Sequence, residues 1–152
     1  MTVQQDDPNG TGENTQNWDT IITQYDGGII SQRTVIYDDG TGQQTFYVDG
    51  QRGLSLRADV DDGTSGIYNW DMILTAYDDA GRVSQQATFY DDSDLTAFLY
   101  EDGVRQTGIE YDNDNSDDWY LCVTDYGVDG NAVTTYATIG DVPAEYADQV
   151  FV

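Results

Sequence analysis

The chain has 152 residues, which suits one domain of ordinary size. Its formal net charge is −24, from 29 acidic and 5 basic residues, so nucleic acid is excluded as a partner, because phosphate contacts need clustered positive charge. The sequence contains neither histidine nor lysine, which excludes histidine-based triads and lysine Schiff-base chemistry.

Residues 1–16 contain Pro8, two glycines and almost no apolar side chain. This composition predicts a disordered lead or linker. The first residues lack the basic start and apolar core of a signal peptide, so an export signal would lie elsewhere or be of another type. No segment approaches the ~20 apolar residues of a membrane span, and we expect no membrane insertion.

Residues 17–68 alternate β-branched and aromatic residues with turn sequences. The run WDTIITQ predicts a first strand, YDGG a turn, ISQRTVIY a second strand and YDDG another turn. A third strand, QQTFYVDG, ends in Asp-Gly, and a fourth runs from Arg52 to Arg57. This segment therefore predicts about four antiparallel strands.

The same pattern returns in residues 69–117 and, in degenerate and truncated form, in residues 118–152. Trp18, Trp70 and Trp119 occupy equivalent places in the three copies. Two and a half copies are too few to close a propeller. We predict an all-β fold, a single β-repeat domain over 17–152 built as an antiparallel meander of ~50-residue repeats, in an open curled sheet or a sandwich.

Alternation within the first strand of the second copy predicts which side chains share a face. Trp70, Met72 and Leu74 are expected on one face, typical of a core stripe, and Tyr77 on the other. The tryptophans are then core landmarks, one per repeat.

The acidic loops ahead of the second and third tryptophans are candidate metal sites. Both begin with the D-x-D spacing that lets alternate carboxylates converge on one hard cation, and calcium is the expected ion. Neither loop is an EF-hand, because Asp117 stands where the loop glycine should be and Val123 where the last glutamate should be. The alternative is that these are plain solvated turns. The candidate ligands are Asp59, Asp61, Asp62, Asp112, Asp114, Asp117 and Asp118.

Tyrosine is the dominant aromatic residue, with 12 Tyr against 3 Trp and 4 Phe. Rings that keep a polar edge suit half-exposed surfaces, and stacking on sugar rings is one use of them. Tyr25, Tyr77 and Tyr126 recur with the repeat and are expected to form a row on which a polysaccharide could lie. The alternative is that they pack in cross-strand ladders.

Catalysis has little support in the sequence. Cys122 lies in an apolar run and is expected to be a buried, inert thiol. A glycosidase needs only two carboxylates, but Asp71 and Glu110 are one of many possible pairs, so no pair is indicated. The recurring residues are turn glycines, turn aspartates and strand aromatics, which maintain a fold. We predict that the protein is not an enzyme.

The cadence W-D-x-I-x-T-x-Y-D, followed by Y-D-D and then Y-x-D-G-x-R, carries a resemblance over residues 17 to about 112. It resembles the tyrosine-aspartate (YD-like) repeats of large secreted bacterial proteins, as found beside RTX calcium-binding regions in alphaproteobacterial exoproteins. The resemblance implies an extracellular or cell-surface β-repeat module without catalytic activity.

Three hypotheses about function follow from the sequence. The first is a non-enzymatic, secreted or surface-associated β-repeat module that acts as a structural spacer or adhesion element and is stabilised by divalent cations. The second is a carbohydrate-binding module that uses surface tyrosines. The third, an acidic decoy for a basic protein partner, depends on charge alone.

Overall fold

The computed structural model describes residues 1–6, 16–59, 68–114, 116–127 and 131–138. Eleven β-strands form one sheet whose order is the order of the chain, and every neighbouring pair is antiparallel. Over the described residues the sheet is open, with β1 at one edge and β11 at the other. The prediction of an all-β antiparallel meander is confirmed, and of the two predicted forms the open sheet is the one adopted.

The strands are short and joined mostly by tight turns. They are β1 (Thr2–Gln5), β2 (Trp18–Asp26), β3 (Ile29–Tyr37), β4 (Gly42–Val48), β5 (Gln51–Ala58), β6 (Trp70–Tyr77), β7 (Val83–Tyr90), β8 (Leu95–Glu101), β9 (Val104–Tyr111), β10 (Leu121–Tyr126) and β11 (Ala132–Ala137). None of the described residues is helical, and accordingly none of them belongs to a helix long and apolar enough to cross a membrane.

Strands β2–β5 and β6–β9 are two copies of the same four-strand meander. Each copy has a register shift at its tryptophan, between Trp18 and Thr20 and between Trp70 and Met72. Each copy also has a register shift before its second-hairpin tyrosine, at Tyr47 and Tyr100. The predicted four strands per repeat are therefore present, with matching irregularities.

The predicted lead contains a strand that the sequence did not indicate. Thr2–Gln5 form β1, which pairs with β2 in the register Val3↔Ile22. Residues 7–15 of the predicted lead lie outside the described residues. β1 is short and exposed, as edge strands commonly are.

The Asp-Gly turns have the geometry that joins adjacent twisted strands. Asp49 and Gly50 have φ of 51° and 82°, and Asp102 and Gly103 have φ of 52° and 79°. Positive φ at both central residues defines a type I′ turn, whose twist matches that of the flanking strands. Asp-Gly favours this turn because glycine adopts positive φ without steric cost.

The bulge at Asp71 reverses the face on which Trp70 lies. Trp70 pairs with Tyr90 while Met72 pairs with Phe89, and consecutive strand residues point to opposite faces. The prediction that Trp70 shares a face with Met72 and Leu74 is therefore wrong. Trp70 shares its face with Tyr77, because one extra residue in the strand shifts the alternation.

The two faces of the sheet differ in composition. The tyrosine–arginine face carries most large aromatic side chains and the strand arginines: Trp18, Arg33, Tyr37, Tyr47, Arg52, Arg57, Trp70, Tyr77, Phe98, Tyr100, Arg105 and Tyr126. The apolar face carries Ile22, Ile36, Phe46, Leu54, Leu56, Met72, Leu74, Ala76, Ala87, Phe89, Leu95, Ala97, Leu99, Ile109, Leu121 and Val123.

The best-buried strand residues all lie on the tyrosine–arginine face. They are Ile21, Thr45, Ser55, Trp70, Thr75 and Cys122. Long aromatic and arginine side chains lie over short ones such as Thr45 and Ser55, so the side chains of this face shield one another from solvent. The described residues provide no second sheet or helix to cover the other face.

Candidate functional site

The turns and loops divide between two ends of the sheet. One end carries the Asp-Gly turns, and the other carries the tryptophans and both acidic loops. The β7–β8 turn lies at the tryptophan end, next to the β9–β10 loop, because β8 pairs with β9 in the register Leu95↔Tyr111. This pairing brings Asp94 beside Asp112 and Asp114, and carboxylate oxygens of the three lie within 4.8 Å of one another.

The β9–β10 loop folds around the carboxylate of Asp112. Asp112 is only 1% exposed, and its oxygens accept hydrogen bonds from the backbone N–H groups of Ser116 at 3.1 Å and Asp117 at 2.8 Å. Asp114 accepts a second bond from the Ser116 N–H at 2.8 Å. The Asn113 N–H donates to Asp94 at 2.9 Å, which ties the loop to the neighbouring turn.

The pKa values of two members of this cluster shift in opposite directions. Desolvation raises the pKa of Asp94, the Asn113 hydrogen bond partly opposes it, and the charges of Asp92, Asp112 and Asp114 raise it further. Hydrogen bonds from Ser116 lower the pKa of Asp114. Ionisation of Asp94 therefore costs more in the folded state than in the unfolded chain, and a bound cation would reduce that cost.

The structure brings together two of the predicted metal ligands, Asp112 and Asp114. Asp117 contributes its backbone N–H, while its side chain and that of Asp118 are exposed. Asp59 donates its N–H to the carbonyl of Asp71. Two further predicted ligands, Asp61 and Asp62, lie outside the described residues.

Sequence reasoning missed Asp94 as a member of the cluster. Local D-x-D spacing cannot reveal it, because it meets Asp112 only through the pairing of β8 with β9. The available signal was the repeat itself. Asp94 lies in the turn between the second and third predicted strands, at the same end as the acidic loop.

The equivalent corner of the first repeat contains an arginine in place of the acidic trio. Thr41 stands where Asp94 stands in the second repeat, and its hydroxyl donates to Asp39 at 2.7 Å. The Arg57 guanidinium donates to the Thr41 hydroxyl at 3.2 Å and lies 3.7 Å from Asp39. The Thr41 bonds lower the pKa of Asp39, with smaller contributions from Tyr68 and Arg57.

Arg57 also holds the aromatic side chains of this corner. Its guanidinium carbon lies 5.4, 5.6 and 5.3 Å from the ring centroids of Tyr37, Tyr68 and Trp70. Tyr68 stacks on Trp70 at 5.1 Å. The first repeat therefore supplies its own cation at this corner, whereas the second places Glu110 in the position of Arg57.

The three tyrosines predicted to bind a ligand lie on the tyrosine–arginine face, on β2, β6 and β10. Tyr25 is 48% exposed. The Tyr77 ring lies 5.9 Å from the Arg52 guanidinium, and the Tyr126 ring lies 5.6 Å from that of Arg105. The rings of Tyr77 and Tyr126 are thus engaged by arginine, and Tyr25 is the most open of the three.

A groove of about 400 Å³ crosses the tyrosine–arginine face of the first repeat. Its lining combines three aromatic rings with two guanidinium groups: Trp18, Tyr37, Tyr47, Arg33 and Arg52. Within the described residues, neither arginine forms an ion pair with a carboxylate. Aromatic faces beside free hydrogen-bond donors are the usual lining of a ligand site.

The second repeat fills the equivalent groove. Phe98 stands where the first repeat has Thr45, and Gln86 where it has Arg33. The Phe98 ring packs 3.8 Å from the Arg105 guanidinium. Gly108 permits this, since a Cβ there would lie 3.2 Å from Phe98 and 3.3 Å from Tyr126. The equivalent positions of the second repeat therefore hold an aromatic ring and a neutral amide in place of a small side chain and a guanidinium group.

No family model matches the chain, and no curated protein matches it.

Proposed function

We propose that the protein is a non-enzymatic β-repeat module that acts as a structural spacer. The observation that supports this most strongly is the repetition of one four-strand meander, with the same bulges and turns, in a single uninterrupted sheet. Each repeat contacts its neighbours in sequence, so length can be added without changing the fold.

The chemistry of the side chains also supports a structural role. The Cys122 thiol is buried and desolvation raises its pKa, so it stays protonated at neutral pH and is a poor nucleophile. The features that recur between repeats are turns and packed aromatic rings.

The acidic composition supports a secreted or surface-associated location. A charge of −24 is self-repulsive unless salt or divalent cations screen it, which suits an extracellular medium. The resemblance to YD-like repeats of secreted proteins agrees with this location.

Insertion of one more repeat tests the spacer function. A second copy of residues 69–117, placed after residue 117, should add four strands and lengthen the particle by about 19 Å, at about 4.8 Å per strand. Small-angle X-ray scattering measures this length, and circular dichroism reports the strand content. An inserted protein that loses strand content, or keeps the length of the parent, would contradict the proposal.

We further propose that a calcium ion binds at Asp94, Asp112 and Asp114 and stabilises the module. Three carboxylates within 4.8 Å of one another offer the hard oxygen ligands that calcium prefers. The first repeat would not bind calcium, because Arg57 supplies the positive charge at the equivalent corner.

Calcium should raise the stability of the parent protein but not of Asp94→Asn. Extracellular calcium modules have dissociation constants of about 10⁻⁴–10⁻³ M, and ligand at 100 times that value adds about 2.7 kcal/mol to the free energy of unfolding. Asparagine keeps the acceptor for the Asn113 N–H but removes the charge. Thermal unfolding with calcium, with chelator and with sodium at matched ionic strength measures the difference.

Without calcium, Asp94→Asn should itself stabilise the protein. Because the pKa of Asp94 is raised in the folded state, ionised Asp94 destabilises the fold. The free energy of unfolding therefore falls as the pH rises from the pKa of Asp94 in the unfolded chain through its higher pKa in the folded state. Asp26→Asn, at the exposed last residue of β2 and at the other end of the sheet, is the control and should retain the full calcium response. Equal responses to calcium and sodium would leave charge screening as the explanation.

Carbohydrate binding is the second candidate function, and the open groove of the first repeat favours it. The groove has aromatic faces for sugar rings and the guanidinium groups of Arg33 and Arg52 for hydroxyl or carboxylate oxygens. The exposed Tyr25 lies on the same face.

Thr45→Phe combined with Ser55→Gly gives the first repeat the two residues that Phe98 and Gly108 supply in the second, where glycine leaves room for the ring. It should abolish retention on any polysaccharide that the parent protein binds, while the fold is kept. Tyr25→Ala should weaken that retention if Tyr25 extends the platform. A glycan array on which the parent binds nothing would reject this candidate and leave the spacer role.

A further inference from the structure

The apolar face carries no charged side chain over most of the sheet. From β2 to β9, the middle of the face consists of three residues per strand, for example Leu54, Leu56 and Ala58 on β5 and Leu95, Ala97 and Leu99 on β8, while Asp26 and Glu101 lie at its edge as the last residues of β2 and β8. None of the residues in the middle of the face is Asp, Glu or Arg, in a chain with 29 acidic and 5 basic residues. The charge is therefore confined to the turns, the loops, the strand ends and the other face.

Large side chains on this face remain open to solvent. Ile36 is 42% exposed, Phe46 39%, Leu54 40% and Leu99 39%. A depression of about 210 Å³ lies at the centre of the face, between β5 and β8, lined chiefly by Leu54, Leu74, Ala76, Ala87, Ala97 and Leu99. Contiguous apolar surface of this kind marks an interaction site in soluble proteins.

We propose that the apolar face packs against the apolar face of a second copy of the chain. The two sheets would form a two-layer sandwich about 10 Å apart, with their strands within about 30° of each other. The contact would be isologous, since the same patch would serve both copies.

Charge selects a second copy over a charged partner. A partner surface bearing ionised groups would have to bury them without counter-charges, because the middle of the apolar face offers none between β2 and β9. A second copy presents an uncharged face of the same shape and width. Its carboxylates would lie at the rim and on the outer faces, where solvent screens them.

The available area is sufficient for a stable dimer. The seven strands β3–β9, at about 4.8 Å each, and a strand length of about 20 Å give a projected area of about 700 Å². The accessible area exceeds the projected area because side chains corrugate the surface. A standard interface buries about 800 Å² per partner, so the central strands alone approach this size.

Salt should strengthen this dimer. Each copy carries −24, so association brings like charges together, and screening reduces their repulsion. The hydrophobic contact itself is not weakened by added salt. We expect sodium chloride to lower the dimer dissociation constant, in contrast to an interface held by ion pairs.

Gln85 and Gln86 provide a matched test, because they are adjacent and lie on opposite faces. Gln85 pairs with Ala76 and Leu99 on the apolar face, and Gln86 pairs with Thr75 and Phe98 on the tyrosine–arginine face. Gln85→Glu and Gln86→Glu make the same isosteric change and add the same charge. Analytical ultracentrifugation of the full chain over a range of concentrations measures the dissociation constant of each.

We expect the parent to dimerise and Gln85→Glu to weaken the dimer about 10-fold or more, since it buries an unpaired charge in each copy. Gln86→Glu should leave the dissociation constant unchanged. Leu54→Glu should abolish dimerisation, with circular dichroism confirming that the strands remain.

A parent protein that stays monomeric at all concentrations and salt levels would overturn the proposal. A dimer that both glutamine variants weaken equally would also overturn it, because the interface would not be the apolar face. A monomer that dimerises only after deletion of residues 139–152 would assign the face to that segment instead.

Discussion

Trp70→Ala should lower the free energy of unfolding by about 3 kcal/mol, the typical cost of removing a large buried aromatic side chain. Trp70 is 8% exposed, stacks on Tyr68 at 5.1 Å and lies 5.3 Å from the Arg57 guanidinium. Its loss would open a cavity and release the two side chains that it holds.

Trp18→Ala is the matched control and should cost about 1 kcal/mol, because Trp18 is only half-buried and loses less contact area. Trp18 occupies the same place in its repeat, so the comparison separates burial from position in the repeat. Urea unfolding followed by fluorescence and circular dichroism measures both values. Equal losses for the two variants would show that the two corners are packed alike, against the structure.

The second large effect is expected at the first Asp-Gly turn. Gly50→Ala should destabilise the protein by about 2 kcal/mol, part from the cost of a Cβ at positive φ and part from a steric clash. Gly50 has φ of 82°, and an added Cβ would lie 3.1 Å from the Ile29 Cγ2 atom, which must move.

Gly103→Ala separates the two contributions. Gly103 has φ of 79°, but an added Cβ would lie 3.7 Å from Arg82 Cδ, an ordinary contact. Only the conformational cost remains, so about 1 kcal/mol is expected. A larger loss for Gly103→Ala than for Gly50→Ala would contradict the packing of Ile29 against the turn.

The strands and their order were predictable because they depend on local features. Alternating β-branched and aromatic residues, separated by Asp-Gly and YDD turns, define each strand and hairpin. The repetition of that pattern in residues 69–117 made the prediction firmer, since two copies of one sequence pattern are expected to fold alike.

The faces were harder to predict because single-residue bulges reverse them. Trp70 and Met72 are two residues apart and would share a face in a regular strand, but the extra residue at Asp71 separates them. Nothing in the sequence WDMIL marks that bulge. The consequence is large, because it places Trp70 among the arginines instead of among the leucines.

The candidate sites depend on contacts across strands, and the sequence predicted them only in part. Asp112 and Asp114 were visible from local spacing, whereas Asp94 joins them through the register of β8 against β9. The open groove could in principle have been predicted, because alignment of the repeats pairs Thr45 with Phe98 and Arg33 with Gln86. That prediction also requires knowing that the two positions lie on the same face of the sheet.

The claim that the repeats are equal spacing units in one open sheet is tested most directly by distances between spin labels. Cysteines introduced at the exposed residues Asp26, Asp79 and Asp102, which lie in or next to turns, are all at the Asp-Gly end of the sheet. The native thiol of Cys122 is buried with a raised pKa, and it should resist labelling at neutral pH. Pairs of these labels can be measured by pulsed electron paramagnetic resonance.

Four strands separate the turns of Asp26 and Asp79, and six separate those of Asp26 and Asp102, so we expect distances of about 19 Å and 29 Å between backbones, each broadened by the label arms. Distances that grow with strand number are the result expected of a spacer. A distance from Asp26 to Asp102 that is shorter than that from Asp26 to Asp79 would show that the sheet folds back on itself, and would contradict the account.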